Sequence, residues 1–464
     1  MTILAILVGK LVAWLCRIRG RGGTSLPGAV ASRVCRDLHV RLAAQLPRGV
    51  VLITGTNGKT TTSKMLAGIM RAAGWRIVRN VSGSNLRQGL TSTLVAAASP
   101  LGRIRAECAL FEVDEGAAPR EIEALAPRVL LVTNLFRDQL DRYGELATTA
   151  RRLRQSIAAH LPALATLVLN ADDPMVAGLG DGFAGETRFF GLDCPGRAVA
   201  GADHASDSDE CESCGHELAY AVRYGAHIGA WECPGCGRRR PEPSLAATEA
   251  ELTPQMRESV TLSVKDGAGE VDLLLRLPGL YNVANAAGAA ATAFALGIER
   301  EAVVGGLEGT NPAFGRLERV AMRDGKAALL MLVKNPAGLN EMSRLIAEAG
   351  GPRPTVCALN DNTADGHDVS WIWDADFERL AGMVGPVFAS GVRAHDIALR
   401  LKYAGVDEDA ISVVPDLRDA LGQALAEAPE CGWVYVLPTY TALLDLRAHL
   451  EAEGLVAPFW EELE

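Results

Sequence analysis

Lys59 ends the run Gly55-Thr56-Asn57-Gly58-Lys59, and Thr60, Thr61 and Thr62 follow it. A tight glycine turn, a lysine and hydroxyls at this spacing make an anion cradle. Backbone N–H groups of the turn, and of the helix it opens, point at phosphate oxygens. Lys59 is placed to reach the β- and γ-phosphates of a nucleotide, and the Thr60 hydroxyl to hold Mg²⁺. Gly55, Thr56, Asn57, Gly58 and Thr61 complete the loop. The pattern is Gly-x-x-Gly-Lys-Thr; Ile53 stands where a longer phosphate loop has its first glycine. Only seven of the 46 basic residues are lysine, so a lysine here is not a product of composition.

Two further sets of residues carry chemistry. Glu112 and Glu115 end an apolar run, where one or two carboxylates beside a phosphate loop suit Mg²⁺; Glu112 is the first choice and Glu115 the second. Cys211-x-x-Cys214 and Cys233-x-x-Cys236, each followed by glycine, offer four thiolates for a closed tetrahedral Zn²⁺ site with no open catalytic position. His204, His216 and His227 lie nearby, and a fifth ligand is not needed. Cys16, Cys35, Cys108, Cys194, Cys357 and Cys431 read as ordinary small apolar residues.

Thr133-Asn134 also closes an apolar run, where a ligand would lie. Asn282 and Asn285 share a helix face, so both amides could read one flat base edge; a helix cap is the plainer alternative.

These groups need a scaffold. Apolar runs at 50–54, 76–81, 107–113, 129–133 and 165–170 alternate with helical patterns, which predicts a doubly wound sheet with the phosphate loop at a strand's carboxyl end. The pattern breaks at about 203–245, the cysteine module, and resumes from Val260. A smaller α/β domain begins near Gly315, with strands at 328–333, 355–359, 387–389 and 433–437. The organisation expected is an N-terminal segment (1–48), a nucleotide-binding domain with the cysteine module inserted at about 203–245 (49–314) and a C-terminal domain (315–464), in line with a length of 464 residues.

A net charge of -10 excludes a general nucleic-acid binder; Arg238-Arg239-Arg240 reads as a solvated edge. The apolar stretch from Thr2 to Cys16 is too short for a bilayer span of about 20 residues and has no export signal. Arg17, Arg19 and Arg21 follow it. Packing on the core is favoured over contact with a membrane face, and the cysteines belong to a reducing cytoplasm.

In order and spacing these motifs resemble the Mur ligase superfamily, the ATP-dependent ligases of peptidoglycan synthesis and folate polyglutamylation. The residues are the Gly55–Thr61 loop, Glu112, Thr133-Asn134 with Asp138 and Asp141, Asn282 with Asn285, and Gly315-Arg316-x-Glu318. Within the superfamily the likeness is to the MurT family. It rests on Gly20-Arg21-Gly22-Gly23-Thr24-Ser25-Leu26-Pro27-Gly28, the four cysteines, Lys334-Asn335-Pro336-Ala337-Gly338, the segment from Asn360 to Asp374, Arg400-Leu401-Lys402-Tyr403-Ala404-Gly405 and Leu437-Pro438-Thr439-Tyr440-Thr441. Several features depart from ordinary Mur ligases. Fewer than 50 residues precede the loop strand, too few for the usual UDP-binding domain. Gln139 replaces a metal-binding histidine and no lysine lies between Asp141 and Asn170, so a second metal is not expected. Met331 and Leu332 stand where an acidic residue usually contacts ribose.

The resemblance implies amidation of the D-glutamate α-carboxylate of the lipid II stem peptide, through an acyl phosphate made with ATP. Lys59, Lys334 and Mg²⁺ at Glu112 would stabilise the transferring phosphoryl group, with Arg316 a further phosphate contact and Asn134, Asn282 and Asn285 at the nucleotide. It also implies a separate GatD-type glutaminase as the ammonia source, whose Cys-His pair an aspartate of this chain completes. The candidates are Asp374, favoured because Trp371 and Trp373 flank it, and Asp365, Asp368 and Asp376. The place of action is the cytoplasm, at the inner face of the membrane that carries lipid II. The alternative is a free-standing Mur or folylpolyglutamate-type ligase that consumes an amino acid and needs no partner.

Overall fold

The computed structural model describes residues 1–18, 25–80, 84–137, 146–199, 206–253, 255–265, 269–311 and 315–456. Asp138, Gln139, Asp141, His204 and the 19–24 stretch of the sequence motifs lie outside them, as does the side chain of Arg316.

The first sheet has nine strands: β1 (Val50–Thr54), β2 (Ile77–Arg79), β3 (Cys108–Glu112), β4 (Val129–Val132), β5 (Thr166–Asn170), β6 (Glu186–Leu192), β9 (Leu245–Leu252), β10 (Glu258–Val264) and β11 (Gly269–Leu275). Between β6 and β9 the chain makes a separate hairpin, β7 (Ala219–Gly225) and β8 (Ile228–Glu232). The order across the sheet is β11-β10-β9-β6-β5-β4-β1-β3-β2. It is parallel from β2 to β9 and antiparallel at the β9-β10-β11 edge.

Alternate residues of β1 serve two cores. Val51 and Ile53 join one with Leu110 and Leu131; Val50 and Leu52 join the other with Phe111 and Leu130. A strand buried on both faces reads as a continuous apolar run, which is why β1, β3 and β4 stood out in the sequence. β1 lies between β3 and β4, so the chain leaves it in opposite directions, and the crevice at its carboxyl end is where such sheets bind ligands.

The second sheet is β12 (Arg316–Ala321), β13 (Ala327–Met331), β14 (Arg353–Ala358), β15 (Val384–Ser390), β16 (Ile411–Val413) and β17 (Trp433–Pro438), in the order β12-β13-β17-β14-β15-β16. Only the β12-β13 pair is antiparallel. The Arg316–Ala321 strand was not foreseen: its alternating Arg, Glu and apolar residues mark an exposed edge rather than a buried run.

The N-terminal stretch forms a helix, Thr2–Ile18, and it does not simply pack away. Ala5, Ile6 and Gly9 are buried, while Ile3, Leu4, Leu7, Leu11, Trp14, Leu15 and Ile18 are each between 43 and 63% exposed. No helix among the described residues is long and apolar enough to cross a membrane. Of the six cysteines read as small apolar residues, four are buried; Cys16 is half-buried, and Cys431 is exposed with φ +56°.

Candidate functional site

β1 ends at Thr54, and the next four residues turn sharply into the helix Lys59–Ala72. Gly55 (φ +129°) and Gly58 (φ +83°) have no room for a side chain. A Cβ at Gly55 would lie 2.3 Å from Thr133 Oγ1, and one at Gly58 would lie 2.1 Å from Asn285 Oδ1. Both glycines are therefore required by conformation and by close approach. The turn is braced from the β4 end: Asn57 N donates to Asn134 Oδ1 (2.8 Å), and Thr133 Oγ1 (2.8 Å) and Asn134 Nδ2 (3.1 Å) donate to Asn57 O. Thr56 N donates to Asn134 O at 2.8 Å.

The Lys59 ammonium is buried and donates to Gly55 O, to Thr56 O at 3.1 Å and to Glu115 Oε2 at 3.0 Å. Burial by itself would lower its pKa; the carboxylates of Glu115, Glu112 and Asp114 outweigh that and raise it. Burial pushes Glu115 the other way, and Lys59 and Lys334 bring its pKa below the usual carboxylate value. Both groups are charged at neutral pH.

Thr60 Oγ1 donates to Glu112 Oε1 at 3.0 Å. Asn80 clamps the Glu112 backbone, accepting from its N–H (2.9 Å) and donating to its carbonyl (2.8 Å). Glu112 Oε2 is buried with no hydrogen-bond partner among the described residues. An orphaned carboxylate oxygen beside a hydroxyl and a phosphate loop has the donor chemistry of a Mg²⁺ site. Glu115, the second candidate, spends one carboxylate oxygen on Lys59 at 3.0 Å.

The second domain reaches the loop through the segment after β13. Asn335 Nδ2 donates to Asn57 Oδ1 at 3.2 Å, while Asn335 Oδ1 caps the helix Pro336–Ala349 through Gly338 N at 2.8 Å. Lys334 lines the same cleft, together with Asn57, Gly58, Thr61, Asn134 and Asn285.

The asparagine pair divides. Asn285 lies against the loop, where its Oδ1 accepts from Thr62 Oγ1 at 3.2 Å. Asn282 is 1% exposed and off the cleft wall; its Nδ2 donates to Pro278 O at 2.8 Å and its Oδ1 accepts from Asn285 at 3.3 Å. Its amide is spent on the helix start, so the structure does not bring the two amides to one base edge. Shared helical spacing gave the common face and not what that face meets.

Sequence reasoning passed over the acids after β5. Asp173 caps a short helix through Met175 N and Val176 N, accepts from Leu135 N at 2.8 Å and lies 3.5 Å from the buried His227. Asp172 is fully buried, pushed up to about 7 by burial against the pull of Arg240, whose Nε is 2.7 Å away. The signal was present: two acids and a proline directly after an apolar run.

In the ribbon, the sulfurs of Cys211, Cys214, Cys233 and Cys236 all lie within 4.8 Å of one another, with Cys211–Cys236 at 3.6 Å and Cys214–Cys233 at 3.3 Å. Four sulfurs about 2.3 Å from one centre stand roughly 3.8 Å apart, so the cluster fits tetrahedral Zn²⁺. Gly215 (φ +73°) and Gly237 (φ +72°) form the two knuckles.

The aspartates of the second domain have different surroundings. Asp365 accepts from Thr441 N (2.8 Å) and Oγ1 (2.5 Å), and Asp368 from Ser370 N (2.8 Å). Asp376 is buried against Asn340 Nδ2 (3.2 Å) and Arg379. Asp374 is exposed beside Trp373, whose ring meets Tyr403 edge-on at 5.8 Å; both rings are at least half exposed.

Residues 53–220 match the Mur ligase middle domain, and residues 332–443 match the MurT ligase C-terminal domain. The chain is 34% identical, over 98% of both chains, to the lipid II isoglutaminyl synthase (glutamine-hydrolyzing) subunit MurT of Streptococcus pneumoniae. The chain belongs to the MurT family. Its fold is similar to that of a pseudomurein peptide ligase type C from Methanothermus fervidus (TM-score 0.67, 22% identity, 90% of this chain and 81% of that one). It is also similar to MurF ligase from Thermotoga maritima, solved in complex with ADP (TM-score 0.65, 14% identity, 91% and 84%).

Proposed function

We propose that this chain is the ligase subunit of a lipid II isoglutaminyl synthase and converts the D-glutamate α-carboxylate of the lipid II stem peptide to the amide, D-isoglutamine. The observation that carries the reading is the meeting of Asn335, next to Lys334, with Asn57 of the phosphate loop, in a chain that matches a MurT subunit from end to end.

A carboxylate does not accept ammonia directly, because oxide would have to leave. Transfer of the γ-phosphoryl group of ATP to the carboxylate gives an acyl phosphate and ADP. Ammonia then adds to the carbonyl carbon, and inorganic phosphate leaves with the C–O electron pair. The loop amides, Lys59 from one domain and Lys334 from the other hold charge on the transferring group, and Thr60 and Glu112 are the residues that would hold Mg²⁺. When bound, Mg²⁺ neutralises phosphate charge. Thr61, Asn134 and Asn285 shape the loop side of the nucleotide site; Asn282 supports Asn285 from behind. Arg316 enters as a further phosphate contact. Zn²⁺ at the four cysteines is structural, since four thiolates leave no open position.

The ammonia donor is glutamine, hydrolysed by a GatD-type partner. Asp374 is the aspartate best placed to complete the partner's Cys-His pair, because Asp365, Asp368 and Asp376 already accept hydrogen bonds from their own domain. Arg400 fixes the segment that presents it, donating to Ile372 O (2.9 Å) and Ala375 O (2.8 Å). Trp373 and Tyr403 offer aromatic anchors of the kind that dominate interfaces.

The substrate carries a lipid tail, and the chain works at the cytoplasmic face of the membrane. Residues 1–36 contain six basic residues and no acid in a chain of net charge -10. The exposed apolar stripe of the helix Thr2–Ile18 has the form of an interfacial helix.

Hydroxylamine in place of ammonia tests the acyl phosphate. ATP-dependent formation of a lipid II hydroxamate is expected; ADP release without hydroxamate would contradict the mechanism.

A further inference from the structure

The mechanism proposed above leaves the ribbon without a role beyond holding its metal. Its cysteines lie outside the nucleotide cleft, but the tip of its hairpin lines it: Tyr224, Gly225, Ala226 and Ile228 share the cleft with Asn57, Gly58, Asn285 and Lys334.

The tip is held from both sides. Trp231 Nε1 donates to Ala171 O at 3.0 Å and Gly229 N to Asp172 O at 2.9 Å, which ties the hairpin to the carboxyl end of β5. His227, buried at the turn, lies on the Phe136 ring with centroids 4.6 Å apart. Towards the second domain, Arg344 Nη1 donates to Tyr224 O at 3.3 Å. Ala337, three residues beyond Lys334, packs with Phe136, Ala226 and Ile228. One short turn therefore touches the cleft floor and the loop that carries Lys334.

Away from the phosphate loop the cleft wall is apolar: Phe190, Leu192, Tyr224, Ile228, Leu280 and Tyr281. With phosphates held at Gly58 and Lys59, this wall is what remains for the flat faces of a nucleobase.

We infer that the cysteine ribbon is a clamp on the nucleotide cleft: Tyr224 and Ile228 supply part of the wall that seats the base, and the turn at Ala226 holds the Lys334 loop in register with the phosphate loop. The inference rests on the reading of the cleft as an ATP site. Tyr224 and Ile228 are positioning residues for the base and do not touch the reacting atoms.

The test is direct binding of two probes, ATP and tripolyphosphate, to the full chain co-purified with its glutaminase. Tyr224→Ala should weaken ATP about five- to tenfold, leave tripolyphosphate unchanged and raise the KM for ATP more than it lowers kcat; Ile228→Ala, which also loses packing on Ala337, should weaken ATP by more than it weakens tripolyphosphate. Tyr224→Phe keeps the ring and should restore wild-type affinity. Arg239→Ala, exposed at the cysteine end, should change nothing. Cys233→Ser, which opens the metal site, should weaken both probes because the Lys334 loop loses its support. If Cys233→Ser fails to fold, Ile228→Ala decides. ATP affinity unchanged in Ile228→Ala and Tyr224→Ala, or lost equally with tripolyphosphate in both, overturns the clamp. Failure of the wild type to bind ATP overturns the reading of the cleft, and the clamp with it.

Discussion

Lys59 Nζ lies 3.0 Å from Glu115 Oε2, and both side chains are nearly enclosed. The ammonium also donates to two carbonyls of its own loop, Gly55 and Thr56. A phosphate oxygen entering the cradle competes with Glu115 for this lysine. If the loop is a nucleotide site as proposed, Glu115 holds the ammonium in the loop until a phosphate oxygen replaces it.

That exchange has a thermodynamic signature. Glu115→Gln leaves a buried ammonium short of its countercharge, a change that costs about 3 kcal/mol or more in such pairs. Bound ATP restores the missing charge. Thermal shifts should show a larger stabilisation by ATP in Glu115→Gln than in the wild type; an equal shift would mean that Lys59 does not exchange partners. Lys59→Met should abolish turnover while the fold survives.

The same pair sets a pH window. The lowered Glu115 pKa gives stability that is present above the unfolded carboxylate value, about 4.3, and is lost as pH falls through the folded value. The raised Lys59 pKa gives stability that is present below its unfolded value, about 10.4, and is lost as pH rises through the folded one. The Tm difference between wild type and Glu115→Gln should therefore be flat from about pH 5 to 9 and shrink below about pH 4. A steady slope across neutral pH would point to a different titrating group.

Glu112→Gln keeps the hydrogen bond from Thr60 within reach but removes the charge that Mg²⁺ needs. The Mg²⁺ concentration for half-maximal activity should rise at least tenfold, with kcat falling by two orders of magnitude or more. A Mg²⁺ titration that overlays the wild type would remove Glu112 from the metal site.

Asp374→Asn should depress glutamine-dependent amidation by two orders of magnitude or more and leave ammonium-dependent amidation intact. Asp376→Asn serves as the contrast: its carboxylate is buried on Asn340, so it should lower Tm and affect both nitrogen sources alike. Equal rates with glutamine for Asp374→Asn and the wild type would move the role elsewhere.

Leu4→Asp with Leu11→Asp should release the chain from vesicles containing phosphatidylglycerol. The wild type should bind them, with a blue shift of Trp14 emission, and should bind phosphatidylcholine vesicles weakly. Equal binding of the double variant would exclude the helix Thr2–Ile18 as the contact.

The phosphate loop was legible because its chemistry is contiguous: strand, two glycines, lysine and hydroxyls lie within twelve residues. The four cysteines were legible as two Cys-x-x-Cys pairs, each contiguous and followed by glycine. What was not legible depends on contacts between distant segments. Lys59 and Glu115 were both named, but their pairing follows from β1 and β3 lying side by side. Asn282 and Asn285 share a helix face, yet Pro278 takes one amide and the phosphate loop receives the other. The antiparallel β9-β10-β11 edge and the β12 edge alternate polar and apolar residues because one side meets solvent, so they lack the continuous apolar runs that marked the strands buried on both faces. The ribbon tip gave no signal, since Tyr224, Ala226 and Ile228 become a cleft wall only when Phe136 and Ala337 close on them.

The most direct test is the mass of lipid II after incubation with the chain, ATP and Mg²⁺, with ammonium alone and then with glutamine and the co-purified partner. The account predicts a decrease of about one dalton, carboxylate to amide, with ammonium alone, and a requirement for the partner only when glutamine is the nitrogen source. An unchanged mass under both conditions, with ATP consumed only when an amino acid is supplied, would contradict it and identify a free-standing amino-acid ligase.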